Sequence, residues 1–426
     1  MRSGRCGSAL VHRSFRGTRN PVAVDNCLCR GGDRTADDHG GIPAVDHRRA
    51  SGALRHRPAS NRFFRQFVAC ASDGSGRVTL RVAAIGLGWV AQHRHLPVMD
   101  RSGRFDVVGV VDRHPGVARD VAKTRRYRYH GCTDTLADIA WLDEVDAVTI
   151  STAPMAHHGL AVQALALGKH VLTEKPFTMT SAEGAELIAR AQEADRRLAV
   201  VHNFQFARST KALFADLADG RLGDITGIDA VQFGNPDRRL PEWCEELPFG
   251  LFYDESPHLL YLLRAVVGDI ALARAFKVAS TRGLRTPARV EAWFRGGPNN
   301  CPVRLACNFE SPVSEWYLMV GGSRGYGIVD IFRDIYVRLP NDGLHDTGKV
   351  LRTSAIATAQ HWLQHVTSGI PHLSGRLNYG NGELFDRFAR AVAGDVEAMA
   401  PISAQAAHAI LTLQHAIIDG AEDLYA

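Results

Sequence analysis

A chain of 426 residues is too long for one ordinary domain, so two domains plus an extension is the starting expectation. Apolar residues make up 45% and charged residues 22%, the balance of a globular protein with a core, and no run of eighteen apolar residues occurs to span a membrane. The formal net charge of +5 hides an asymmetry: residues 1–78 hold fourteen Arg and six Asp with no Lys or Glu, giving +8, which leaves 36 basic against 39 acidic residues elsewhere, or −3. The larger part therefore offers no electrostatic case for nucleic-acid binding.

Residues 1–78 are rich in Arg, Gly, Ser and His and keep no apolar period of 2 or 3.6. Too little apolar surface is available to offset chain entropy, so the segment is expected to be disordered or foreign to the functional protein. A targeting peptide or a nucleic-acid arm stays open, although Asp25, Asp33, Asp37 and Asp38 argue against a transit peptide. Four of the eight cysteines lie here; the others, Cys132, Cys244, Cys301 and Cys307, lack zinc-ligand spacing, so a reduced cytoplasmic protein without a metal is expected.

From about Val78 the pattern changes. Leu80–Ile85, Phe105–Val111, Asp146–Ile150, Lys169–Thr173 and Leu198–Val201 are short apolar runs of the kind that form buried parallel strands. Helix-compatible stretches lie between them, notably Gly159–Leu167 and Ser181–Arg196, the latter without a full capping box. Alternating strands and helices give a doubly wound α/β domain over 79–203. Residues 204–426 read as an α+β domain: Ile225–Phe233, Ala288–Phe294, Val303–Phe309 and Trp316–Val320 as strands of a mostly antiparallel open sheet. Arg208–Ala218, Pro257–Val267, Gln360–Thr367, Glu383–Val392 and Ala404–Asp419 read as its helices.

The first strand runs into Gly86-Leu87-Gly88-Trp89-Val90-Ala91, a G-x-G-x-x-A turn opening a helix. Gly86 allows the tight turn, Gly88 allows a pyrophosphate to approach the backbone, and Ala91 is small enough for helix to meet strand. Asp112, 26 residues beyond Gly86 at the end of the second strand, is placed to accept hydrogen bonds from a ribose. Arg113 follows it, and could face a 2′-phosphate or cover an adenine. Asp112 would repel that phosphate, which favours NAD and leaves NADP open.

Glu174-Lys175-Pro176 ends the fourth strand at the carboxyl edge of the sheet, where ligands bind in open α/β folds. With Ser151-Thr152-Ala153-Pro154-Met155-Ala156-His157-His158 and Gly168-Lys169-His170-Val171-Leu172-Thr173 around it, this segment resembles the Gfo/Idh/MocA oxidoreductases, the family of glucose–fructose oxidoreductase and inositol dehydrogenase. The resemblance spans about Val78 to the C-terminus and is looser in the second half. It implies a Rossmann domain followed by an open-sheet domain and a nicotinamide dinucleotide bordered by Thr152, Pro154, His157, Glu174 and Lys175. It also implies a lysine, Lys175, that touches both nicotinamide and substrate hydroxyl.

The family pattern D-x-G-x-H falls on Asp254-Glu255-Ser256-Pro257-His258, with Ser256 in place of glycine and Tyr261 where an aspartate frequently follows. The resemblance implies that His258 is the general acid/base and that Asp254 orients it. Asn203-Phe204-Gln205-Phe206 matches the N-x-R-F region, implying substrate contacts from Asn203 and Gln205. Glutamine in place of arginine favours a neutral sugar or polyol over a sugar acid. The expected activity is hydride transfer between nicotinamide and a CH–OH or C=O group in a homo-oligomer. A dinucleotide-binding sensor without turnover, also found in the family, is the alternative.

Overall fold

The computed structural model describes residues 79–297, 300–374 and 377–425, all within one compact unit. The expectations for residues 1–78 lie outside the described residues.

The five apolar runs all form strands: β1 (Leu80–Ile85), β2 (Phe105–Val111), β4 (Ala147–Ile150), β5 (His170–Thr173) and β6 (Leu198–Val200). A short β3 (Tyr129–Gly131) joins them in one parallel sheet of order β3-β2-β1-β4-β5-β6. Chain order reverses between β1 and β4, which opens a crevice at their carboxyl ends. The flanking helices are α1 (Leu96–Ser102), entered through a π-type turn at Ala91–His95, α2 (Val117–Arg125), α3 (His157–Ala166) and α4 (Ser181–Glu193). The expectation of an incomplete cap on α4 is corrected: its N-cap is Thr180, one residue earlier. The Thr180 Oγ1 accepts from Glu183 N at 3.2 Å and Glu183 Oε2 accepts from Thr180 N at 3.0 Å, a full capping box.

After α5 (Arg208–Ala218) the second sheet begins with β7 (Ile225–Phe233), and α6 (Leu251–Val267) follows. The sheet continues with β8 (Ile270–Val278), β9 (Arg289–Gly296), β10 (Cys301–Asn308), β11 (Glu315–Gly322), β12 (Gly325–Asp330) and β13 (Ile335–Pro340). Then come α7 (Thr347–Leu373), α8 (Asn381–Val392), α9 (Ala404–Gly420) and a terminal β14 (Ala421–Asp423). The order is β13-β12-β11-β7-β10-β9-β8-β14, antiparallel except at β7/β10 and β8/β14. Alternate residues of β10 are buried, so one face meets the core, and α6 lies on that face across β7, β10 and β11. Helix α9 touches α4, α6 and β8, binding the C-terminal chain to both sheets.

Helix α6 begins six residues before Pro257, not at it. A proline inside a helix removes the hydrogen bond to the carbonyl four residues back. That carbonyl, Tyr253 O, instead accepts from the buried Gln414 Nε2 of α9 at 2.6 Å, and the same amide reaches Ser256 Oγ at 2.9 Å. A buried carbonyl left without a donor would be costly, so Gln414 is what allows the helix to run through the proline.

Strand β13 is a sheet edge, and α7 covers it with side chains that imitate a further strand. Gln364 Oε1 accepts from Tyr336 N at 2.8 Å while its amide donates to Tyr336 O. One turn earlier, Gln360 Oε1 accepts from Arg338 N at 3.0 Å and its amide donates to Arg338 O at 2.9 Å. Spacing of four on the helix matches spacing of two on the strand. The edge is closed to further pairing along these residues.

Candidate active site

The glycine turn is built as its sequence requires. Gly86 has φ +81°, and a Cβ there would sit 2.6 Å from Thr152 Cγ2 and 2.8 Å from the Ser151 carbonyl carbon. Nothing lies within 4 Å of the corresponding position at Gly88, so the backbone there is open to an approaching group. Asp112 Oδ2 accepts from Leu87 N at 2.8 Å, and Oδ1 accepts from His114 N at 2.8 Å with the His114 ring 2.9 Å away. Asp112 therefore braces the glycine turn from β2. Ala91 is buried, Val90 and Trp89 are exposed, and Arg113 is exposed at the end of β2. The indole of Trp89 stacks on His93, and the Arg94 guanidinium lies between Trp89 and Tyr379, about 5 Å from each ring. This open, amide-presenting turn with an acid beneath it fits a dinucleotide.

Glu174 leaves β5 with its Oε1 2.9 Å from His95 Nε2 and its Oε2 accepting from Lys175 N at 3.0 Å. The other ring nitrogen of His95 is 3.0 Å from Ser151 Oγ. Burial alone would raise the Glu174 carboxyl, but the contact with His95 and the Lys175 charge outweigh it and hold it below the ordinary value. His95 was not legible as a site residue, since it sits in no motif; only its place one turn past Ala91 marks it.

The Lys175–Pro176 peptide is cis. Lys175 Nζ donates to Asp254 Oδ1 at 2.7 Å and to Asp254 O at 3.1 Å. Burial pulls the amine down, yet the Asp254 and Glu174 carboxylates prevail and keep it above its usual range, an ammonium at working pH. Asp254 was expected to orient His258. The structure corrects this: the carboxylate belongs to the lysine.

His258, one turn further on α6, has its Nδ1 2.9 Å from the Tyr261 hydroxyl, which accepts from Phe204 N at 2.9 Å. With one lone pair taken, that hydroxyl can still donate to Nδ1 or accept from it, so both neutral tautomers of His258 keep a partner. The ring lies against Phe204 and Trp316, at centroid distances of 4.7 and 5.6 Å. Burial, then the Lys175 charge, holds the imidazole well below its usual range, hence neutral. Tyr261, noted in the sequence only as a departure, is the residue that orients the histidine.

Three further expectations change. His157 is fully buried, with Nδ1 2.8 Å from Pro176 O and Nε2 3.2 Å from Thr152 O. As a neutral ring it has one N–H, which donates to one of these carbonyls, and both nitrogens face protein oxygens rather than a cofactor. Pro154 is buried beside it. Gln205 is buried with its amide donating to His202 O and Pro401 O, both at 2.9 Å, so it fastens backbone and does not reach outward for substrate. Asn203 Nδ2 donates to Tyr379 O at 3.0 Å, a tie of the same kind. A cation does stand near the site, unforeseen: Arg238 Nη2 lies 2.6 Å from Glu255 Oε2, and Glu255 also meets Gln232. Among the described residues no group of three or more His, Cys, Asp or Glu could hold a metal ion.

Comparison with known proteins agrees with this geometry. Residues 80–202 match the GFO_IDH_MocA model, described as an oxidoreductase family with an NAD-binding Rossmann fold. An uncharacterized oxidoreductase of Synechocystis is 32% identical over 148 residues, 34% of this chain and 38% of that protein. The dTDP-3,4-didehydro-2,6-dideoxy-alpha-D-glucose 3-reductase of Streptomyces violaceoruber is 31% identical over 196 residues, 45% of this chain and 55% of that protein. The matches thus span only about half the length of such relatives. The WlbA dehydrogenase of Bordetella pertussis, solved with NADH and UDP-GlcNAcA, shares the fold at TM-score 0.65 and 17% identity, over 80% of this chain and 95% of that one. Through the dinucleotide-binding sheet and its glycine turn, residues 80–202 match the GFO_IDH_MocA oxidoreductase family.

Proposed function

We propose that this protein is an NAD(P)-dependent oxidoreductase acting on a CH–OH or C=O group of a sugar, nucleotide sugar or polyol. Residues 79–203 serve as the dinucleotide-binding part and 204–426 as the substrate part. The observation that carries the reading is the ammonium of Lys175, fixed at 2.7 Å by Asp254, which stands one turn from His258 on α6, and acting electrostatically on that neutral imidazole. A bound nicotinamide supplies the acceptor or donor of hydride.

In oxidation, the hydroxyl proton passes to the vacant nitrogen of neutral His258 as hydride leaves the carbinol carbon and the C=O bond forms. Lys175 donates a hydrogen bond to the oxygen and stabilises its developing negative charge. Tyr261 holds the ring in register by bonding Nδ1 in either tautomer. In reduction the same groups return the proton to the oxygen as hydride arrives at carbon. NAD is favoured over NADP because the Asp112 carboxylate at the end of β2 would repel a 2′-phosphate. Support for sugars as substrates comes from the Streptomyces reductase, whose name specifies a deoxysugar nucleotide. The free thiols at Cys132, Cys244, Cys301 and Cys307 support a reducing, cytoplasmic setting.

The test is absorbance at 340 nm with a panel of nucleotide sugars, free sugars and inositols, each with both cofactors. Turnover with at least one compound, lost in Lys175→Met, supports the enzyme. NADH binding with no turnover across the panel would support the non-catalytic sensor.

A further inference from the structure

Helix α7 is amphipathic in the reverse sense. Its inward side is polar: Gln360 and Gln364 hydrogen-bond the β13 edge, and Ser368 is its one buried residue. Its outward side is apolar. Leu351, Trp362, Leu363, Val366, Ile370 and Leu373 are all exposed, Trp362 to 66% and Leu373 to 89%. A helix that stays folded by tertiary contacts normally turns its apolar stripe to the core.

We infer that this outer face of α7 is the contact between two copies of the chain, paired antiparallel about a two-fold axis at Trp362. Four features support a second copy. The first is area. With side-chain areas on the order of 150–250 Å², the exposed fractions of those six residues add to roughly 800 Å², about what each partner gives to a standard interface. A patch of that size is larger than most monomers leave open. The second is symmetry. Trp362 stands midway between Leu351 and Leu373, eleven residues from each. A two-fold axis there sets Leu351 against Leu373 of the partner subunit, and Ala355 against Gly369 of the partner subunit, where small residues let the helices come close.

The third feature is charge. Residues 353–373 contain no Asp, Glu, Lys or Arg, so two copies meet without repulsion. The basic Lys349 and Arg352 near the start of one helix then lie by the negative, carboxyl end of the other. The fourth feature weighs against a membrane as the occupant: interfacial helices carry Lys and Arg along a polar face, and here that face holds glutamines already bonded to β13. The stripe advances at close to 3.6 residues per turn, through 351, 355, 362, 366, 370 and 373, which suits two nearly straight helices.

Sedimentation equilibrium of the full chain tests the inference. Wild type is expected as an even-numbered oligomer, and Trp362→Glu is expected to halve its mass with unchanged circular dichroism. Oxidation of Trp362→Cys should give a covalent dimer beyond the wild-type background. Leu351→Cys alone should not, whereas Leu351→Cys combined with Leu373→Cys should. A monomeric wild type, an undiminished mass for Trp362→Glu, or a monomer that pellets with phosphatidylcholine–phosphatidylglycerol vesicles would each overturn it.

Discussion

Asp254 and His258 stand one turn apart on α6, yet the carboxylate of Asp254 is bonded to Lys175 at 2.7 Å and the ring of His258 to Tyr261 at 2.9 Å. The proton-carrying and charge-carrying groups of the site are thereby supported separately. Asp254→Asn should leave His258 in place but weaken the hold on the lysine. Hydrogen bonds to charged groups contribute roughly 1.5–3 kcal/mol, so kcat should fall about 10- to 100-fold with little change in NADH affinity, read by steady-state kinetics and cofactor fluorescence. An unchanged kcat would sever Asp254 from the chemistry.

The separate support of His258 predicts a pH signature. Burial and the Lys175 charge both disfavour its imidazolium. The acid limb of kcat/KM should therefore lie well below pH 6.5. Removing the cation in Lys175→Met should move the His258 titration upward, toward the ordinary value, in a ring-proton NMR titration of the unliganded protein. A downward shift would contradict the electrostatic account.

Stability should follow pH for the same reason. His258, His202 and His157 are buried neutral, with His202 pushed down to about 3. A group whose folded value lies below its unfolded value near ~6.5 contributes stability fully above that pH and loses it as pH falls. Thermal unfolding should be level near pH 8 and decline below about 6.5. His202→Gln should flatten that decline.

Gln414 offers a cleaner structural test, because its partner carbonyl is orphaned by a proline. Gln414→Leu leaves Tyr253 O buried and unsatisfied, a loss of about 1–3 kcal/mol. Pro257→Ala returns a backbone N–H to that carbonyl and should recover part of the loss only in the Gln414→Leu background. Additive effects in the double-mutant cycle would count against the link.

These contrasts mark where sequence reasoning reaches and where it stops. The central strands of the first sheet were legible because burial on both faces leaves uninterrupted apolar runs such as Val107–Val111. Strand β3 was not, being three residues with His130 exposed at a sheet edge. The glycine turn and Glu174-Lys175-Pro176 carry local patterns. The partners of Lys175 and His258 do not, since Asp254 reaches Lys175 across 79 residues and Tyr261 looks like one more apolar position of α6. Pro257 hid the true start of α6, and the missing donor lay in Gln414, far along the chain. Helix α7 was read only over Gln360–Thr367 because its apolar stripe faces outward and its buried side is polar.

The most direct measurement sets Lys175→Met beside wild type in two assays on the same preparations: NADH affinity, and hydride transfer at 340 nm with whichever sugar wild type turns over. The account predicts equal affinity and a loss of roughly 10²–10⁴ in turnover. Turnover near that of wild type in the variant would contradict it.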